Sequence, residues 1–249
     1  MELHGMPSGE ICGWRARIGY TSPPLIAEIF PYEFYQVVPA GVTLALTTLN
    51  IAQRTPDAIA NAHQMSVRAA LELAGAGVNL IFFGGVPVNL SRGEQNAEDL
   101  LRRLAQELGV PVSSSVAAQQ KAARALQCKN VVVAHPYGAA EDARMAADAA
   151  RYGCKVLGVL GFGVELRQFG RIPVSAARAL GGELLRRHPG ADAIFFPSPH
   201  WPVIQSIDAI EREFGVTAMA AAQACIWDAL RLTGVSDRIG GYGRLLREY

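Results

Sequence analysis

The sequence predicts an α/β protein of two pseudo-symmetric halves, each a four-stranded, mainly parallel sheet flanked by helices, with the active-site cleft between them. Three observations carry this expectation. Ile81-Phe82-Phe83-Gly84-Gly85 in the first half is echoed by Ile194-Phe195-Phe196-Pro197-Ser198 in the second, each copy just after a Gly/Ala/Asp turn. Glu107-Leu108-Gly109-Val110 recurs as Glu213-Phe214-Gly215-Val216, each closing a helix and opening a strand. Short β-rich runs alternate with longer, Ala-rich helical segments, the pattern of βαβ units. A duplication of this length fixes the architecture before any motif is interpreted, because the repeated unit is half a domain.

The elements follow in order. A first strand, Arg17–Thr21, runs into the loop Ser22-Pro23-Pro24, and a second strand spans Thr43–Leu49. Pro56–Ala76 carries apolar residues at helical spacing among good helix formers. Leu80–Phe83 is a third strand ending in the loop Gly84–Asn89, followed by a helix over Arg92–Leu108. Val110–Ser114 is the fourth strand, and the small, polar stretch Ser113–Gln119 leads into a helix. The second half repeats the scheme: strand Asn130–His135 with the loop Pro136-Tyr137-Gly138, helix Ala139–Tyr152, strand Lys155–Leu160, helix Ser175–Arg187. Strand Ala193–Phe196 then opens into Pro197–Trp201, helix Ile204–Phe214, strand Thr217–Ala221 and helix Gln223–Thr233. The first half is assigned to residues 1–118 and the second to 119–249, with the C-terminal helix free to pack back onto the first.

Composition narrows the function classes. At 249 residues, with 50% hydrophobic and 18% charged residues, the chain has the make-up of a compact globular protein. Its 23 basic and 22 acidic residues nearly cancel. There is therefore no electrostatic footprint for nucleic acid, and no basic run suits a lipid surface. No window is apolar enough to span a bilayer and the N-terminus lacks a secretory pattern, so a cytoplasmic location is expected. Cys12, Cys128, Cys154 and Cys225 are scattered without metal-ligand spacing, which implies free thiols and no metal site. The expected partner is a small molecule, a carboxylate or carbonyl compound, and self-association into a homo-oligomer stays open.

In open parallel sheets ligands bind beyond the carboxyl ends of the strands, so the strand-end loops hold the candidates. Ser198-Pro199-His200-Trp201-Pro202 places a hydroxyl and an imidazole two residues apart, and both can handle protons. The plainer alternative is a turn stiffened by Pro197, Pro199 and Pro202 with His200 in solvent. Gly84-Gly85-Val86-Pro87-Val88-Asn89 is its counterpart, where glycines would let backbone N–H groups approach an anion; a simple turn is the alternative. Tyr137 offers a phenol, and Ser114 and Ser115 offer hydroxyls. Pro23 stands at the end of the first strand. Gly240-Gly241-Tyr242-Gly243-Arg244 follows no strand, and Leu160-Gly161-Phe162-Gly163-Val164 lacks a third glycine at dinucleotide spacing, so no nicotinamide or flavin cofactor is implied. Cys225 opens a helix but reads as an inert, buried thiol.

These residues carry a resemblance. The chain is similar, over nearly its whole length, to the aspartate/glutamate racemase superfamily, and most closely to its arylmalonate decarboxylase and maleate cis-trans isomerase branch. The resemblance lies in Arg17-Ile18-Gly19-Tyr20-Thr21-Ser22-Pro23-Pro24, in Trp227-Asp228-Ala229-Leu230-Arg231-Leu232 and in Gly241-Tyr242-Gly243-Arg244-Leu245. Ser198-Pro199-His200-Trp201-Pro202 also resembles the Cys-Thr-His-aromatic-Pro signature of glutamate racemases, with serine for cysteine. The resemblance implies two α/β halves, cofactor-independent chemistry through an enolate or enediolate, and substrate contacts from Pro23, Gly84, Gly85, Val86, Asn89, Tyr137 and Pro199. It implies that the two family cysteine positions are Gly85 and Ser198, and that the family's cradle hydroxyls are replaced by Val86 and Pro87. The expectation is a decarboxylase or isomerase of a small carboxylic acid with Ser198 and His200 catalytic. The alternatives are a hydrolase or hydratase using the same pair, or a catalytically silent carboxylate-binding protein.

Overall fold

The computed structural model describes residues 12–24, 27–51, 56–83 and 97–249. The described residues fall into two compact units: the first consists of those within Met1–Ile26, Val38–Ser114 and Ala229–Asp237, the second of those within Ala27–Val37, Ser115–Asp228 and Arg238–Tyr249. Helix α1 (Ile29–Val37) thus belongs to the second unit although it lies in the sequence between two strands of the first.

The first unit is built on β1 (Ala16–Pro24), β2 (Val42–Ile51), β3 (Leu80–Phe82) and β4 (Val112–Ser113), in the order β2-β1-β3-β4. Every pairing is parallel, so "mainly parallel" sharpens to wholly parallel among the described strands. Helices α2 (Pro56–Gly75) and α3 (Ala97–Leu108) flank it, and Leu73, Ile81, Phe83, Leu100 and Leu104 form its core. Ser22, Pro23 and Pro24 fall within β1, not in a loop after it. β1 pairs with β3 from Ile18, opposite Leu80, to Tyr20, opposite Phe82. The register against β2 shifts between Ser22 and Pro24, an irregularity of the kind at which proline, with no N–H to donate, is tolerated in a sheet. Gly84, Gly85, Val86 and Asn89 lie outside the described residues, as does the start of the expected helix at Arg92.

The second unit repeats the plan with β5 (Asn130–His135), β6 (Lys155–Gly161), β7 (Ala193–Phe196) and β8 (Thr217–Ala220), in the order β6-β5-β7-β8 and again all parallel. Its helices are α4 (Ser115–Ala125), α5 (Asp142–Ala150), α6 (Ala176–Arg187), α7 (Ile204–Phe214), α8 (Ala221–Leu232, of which the residues from Ala229 on belong to the first unit) and the short α9 (Arg244–Glu248). The expected helix over Ala139–Tyr152 begins as a 3-10 turn at Ala139–Glu141. Central strands covered on both faces read as continuous apolar runs, and Val131-Val132-Val133-Ala134 and Ala193-Ile194-Phe195-Phe196 are fully buried. Val132, Ile194 and Phe196 share a core with Leu180, Leu184, Trp201 and Ile207.

The repeated Glu-x-Gly-Val phrase has one physical cause. Gly109 and Gly215 both take a left-handed φ, +68° and +65°, and their N–H groups bond back to Ala105 and Glu211 at 3.0 Å. Each is the glycine that ends a helix and turns the chain into the last strand of its sheet.

Candidate active site

Because β5 and β7 are hydrogen-bonded neighbours running the same way, their ends deliver residues to one edge of the second sheet. Tyr137, two residues past β5, and Ser198, two past β7, meet there, with Tyr137 Oη and Ser198 Oγ 3.3 Å apart. This is longer than the roughly 2.7–2.8 Å of a well-formed O–H···O bond. Ser198 Oγ also accepts the His200 backbone N–H at 3.4 Å, and Ser198 is 3% exposed. The sequence-expected residues Tyr137, Ser198, Pro199 and His200 thus share one strand-end patch, while Pro23 stands in the first unit.

The Ser198 turn is braced from beneath. Trp201 is fully buried against Phe196, ring centroids 5.8 Å apart, so the aromatic of the Ser-Pro-His-Trp-Pro phrase is a core anchor. The turn then enters α7, whose first N–H groups need acceptors that Val203, at the N-cap position, does not supply. Glu33 on α1 supplies them: one carboxylate oxygen accepts from both Val203 and Ile204 at 2.7 Å. Burial pushes the Glu33 carboxyl up to about 7, against the lowering effect of these two bonds.

Tyr137 is held as firmly. Its ring lies 5.3 Å from Phe169 and beneath the Arg144 guanidinium, 5.8 Å from the ring centre. Its backbone is laced to the loop after β6: Phe162, Gly163 and Val164 donate N–H bonds to His135, Tyr137 and Pro136 at 2.8, 3.0 and 2.9 Å. Gly161 permits that approach, since a Cβ there would lie 2.4 Å from the Tyr137 carbonyl oxygen. Of the two glycines in Leu160-Gly161-Phe162-Gly163, Gly161 therefore serves backbone packing and Gly163 a left-handed φ of +83°.

Next to Tyr137 is a pair that composition and motif spacing do not reveal. His135 is fully buried, and its Nε2 lies 2.9 Å from Asp142 Oδ1. Burial lowers the His135 pKa more than the Asp142 contact raises it. The neutral ring then carries its proton on Nε2, because a carboxylate can only accept. Glu33 is also invisible to motif reading, although Phe30, Glu33, Phe34 and Val37 are buried at i, i+3, i+4 and i+7. A charged residue on the apolar face of a helix was the available signal.

Other candidates have structural partners. The Ser115 hydroxyl accepts Gln119 Nε2 at 3.0 Å and bonds the Cys225 thiol. Burial pushes Cys225 up to about 12, which makes it a poor nucleophile. In the Gly-rich tail, the Tyr242 carbonyl accepts Gln223 Nε2 at 2.6 Å and the Arg244 N–H bonds Glu211 at 2.9 Å. No group of three or more metal-ligating side chains occurs among the described residues, nor any helix long and apolar enough to cross a membrane.

Comparison with known proteins accords with this architecture. Arylmalonate decarboxylase of Bordetella bronchiseptica is 25% identical over 237 residues, spanning 93% of this chain and 96% of that one. Among solved structures, maleate isomerase Iso from Pseudomonas putida S16 shares the fold with a TM-score of 0.83 at 20% identity, over 94% of this chain and 98% of that one. Unliganded arylmalonate decarboxylase gives 0.82 at 24%, over 94% and 100%. The model of the family described as arylmalonate decarboxylase matches residues 18–246, from within β1 into α9, and with both sheets inside that match the chain belongs to this family.

Proposed function

We propose that the protein is a cofactor-independent decarboxylase or isomerase of a small carboxylic acid, working through an enolate- or enediolate-like intermediate at the carboxyl edge of the second sheet. The observation that carries this reading is the meeting of Tyr137 Oη and Ser198 Oγ on adjacent strand ends, with His200 on the same turn. Two hydroxyls at one edge offer donors to an oxyanion as charge develops, the largest single source of rate in such chemistry.

In the decarboxylating form, the bond from the α-carbon to one carboxylate breaks and carbon dioxide leaves. The electron pair passes into the remaining carboxyl group as an enediolate, which Tyr137 and Ser198 bind. Protonated His200 delivers a proton to the α-carbon and is reloaded from water. Ser198 orients instead of reacting, because a serine hydroxyl is far less acidic than the thiol this family position resembles. By the same resemblance Gly85 stands at the other cysteine position, which disfavours two-base racemisation.

The test is carbon dioxide release from an arylmalonate and cis-trans conversion of maleate by the purified chain. Ser198→Cys restores an acidic proton donor and is expected to raise one of these rates by about tenfold or more. Tight binding of such acids with no turnover by either form would instead make the protein a silent carboxylate binder.

A further inference from the structure

We propose that Glu33 is a positioning residue for the Ser198–His200 turn: its buried carboxyl group clamps the start of α7 and thereby fixes the segment that carries both side chains. This rests on the reading that the turn performs the chemistry.

Glu33 is 0% exposed, and its Oε1 holds the N–H groups of Val203 and Ile204 at 2.7 Å each. Its other oxygen, Oε2, is buried with no hydrogen-bond partner among the described residues. Burying a carboxylate is costly, and a Ser, Thr, Asp or Asn at position 203 would cap α7 locally without that cost. Val203 cannot do so. The distant acid differs from a local cap in one respect, since it ties the helix start to α1. A second link joins the same elements, Gln205 Nε2 to Gln36 Oε1 at 2.7 Å.

The connection from β7 to α7 is short and stiff. It runs from Pro197 to Val203, is pinned by Trp201, and contains Pro197, Pro199 and Pro202, whose fixed φ values leave little freedom to absorb a shift. A displacement at Val203 is therefore passed back to His200 and Ser198. Since a misplacement of about 1 Å can cost on the order of a hundredfold in rate, a clamp at the helix start acts on the chemical step more than on substrate binding.

The experiment measures carbon dioxide release from an arylmalonate by the full chain and three variants, with backbone amide hydrogen exchange on each. The carbonyl oxygen of Glu33→Gln can accept both N–H groups, so its kcat is expected within about threefold of the parent, whereas Glu33→Ala lowers kcat by about tenfold or more with KM little changed. In Glu33→Ala, exchange accelerates from Ser198 to Ile204 while β7 stays protected. Glu33→Met, which refills the volume with apolar atoms, is expected to match Glu33→Ala.

An unchanged kcat in a folded Glu33→Ala overturns the inference. So does failure of both Glu33→Ala and Glu33→Met to fold, which would make Glu33 a stability residue. If the parent chain itself turns over no acid, the proposed function fails separately. Amide exchange then decides: selective loosening of Ser198–Ile204 supports the clamp, and uniform loosening contradicts it.

Discussion

At the scale of single residues, Glu33 shows most clearly how burial decides chemistry. A carboxyl beneath α7 keeps its proton up to about pH 7, against an ordinary 4.5, because burial penalises the charge more than two N–H bonds favour it. The folded chain therefore holds this proton over a range in which the unfolded chain has already released it. Stability from this source is full below about pH 4.5 and is lost as pH rises through about 7, a change of about 3 kcal/mol. Denaturant unfolding from pH 4.5 to 8 is expected to show the parent losing that much relative to Glu33→Gln, which does not titrate. Parallel curves for the two proteins would contradict the assignment. Of the residues at the candidate site, Tyr137, Ser198 and His200 could be singled out in the sequence because strand-end loops in parallel sheets are where ligands bind. Glu33 was not, since its contacts to Val203 and Ile204 join distant parts of the chain, and the His135–Asp142 pair was not, since its spacing of 7 residues matches no motif and only the turn after β5 brings the two side chains together.

At the scale of elements, the repeated phrases were the most informative part of the sequence, and the structure gives each a cause. The Ile-Phe-Phe copies are buried strands, β3 with Phe83 following and β7 in full. The Glu-x-Gly-Val copies end α3 and α7 at left-handed glycines with open space where a Cβ would stand. Replacing Gly109 or Gly215 by alanine thus meets no neighbour and costs only the strained backbone, about 1 kcal/mol each. Equal, additive shifts of the unfolding midpoint are expected; a neutral substitution at either site would show that the two helix ends are not equivalent. Helix α1 escaped notice for a physical reason. Its buried face carries Glu33 among Phe30, Phe34 and Val37, and Pro31 with four aromatic residues obscures helical propensity. The tail of β1 escaped for a different one, since Ser22-Pro23-Pro24 has loop composition yet continues a strand through a shift of register against β2.

At the scale of the whole molecule, two sheets of identical strand order, each wholly parallel among the described strands, account for the duplication read from the sequence. The second unit places a phenol and a hydroxyl, Tyr137 and Ser198, 3.3 Å apart at its carboxyl edge, with His200 on the same turn. The proposed function is carbon acid chemistry, and its last step, protonation of the α-carbon, can be observed in reverse. The decisive measurement is incorporation of deuterium at the α-carbon of an arylacetic acid incubated with the protein in deuterated water, followed by NMR. The parent chain is predicted to wash in label and His200→Ala to abolish it. Exchange that persists undiminished in folded His200→Ala, or an acid that binds the parent without any exchange, would contradict the account.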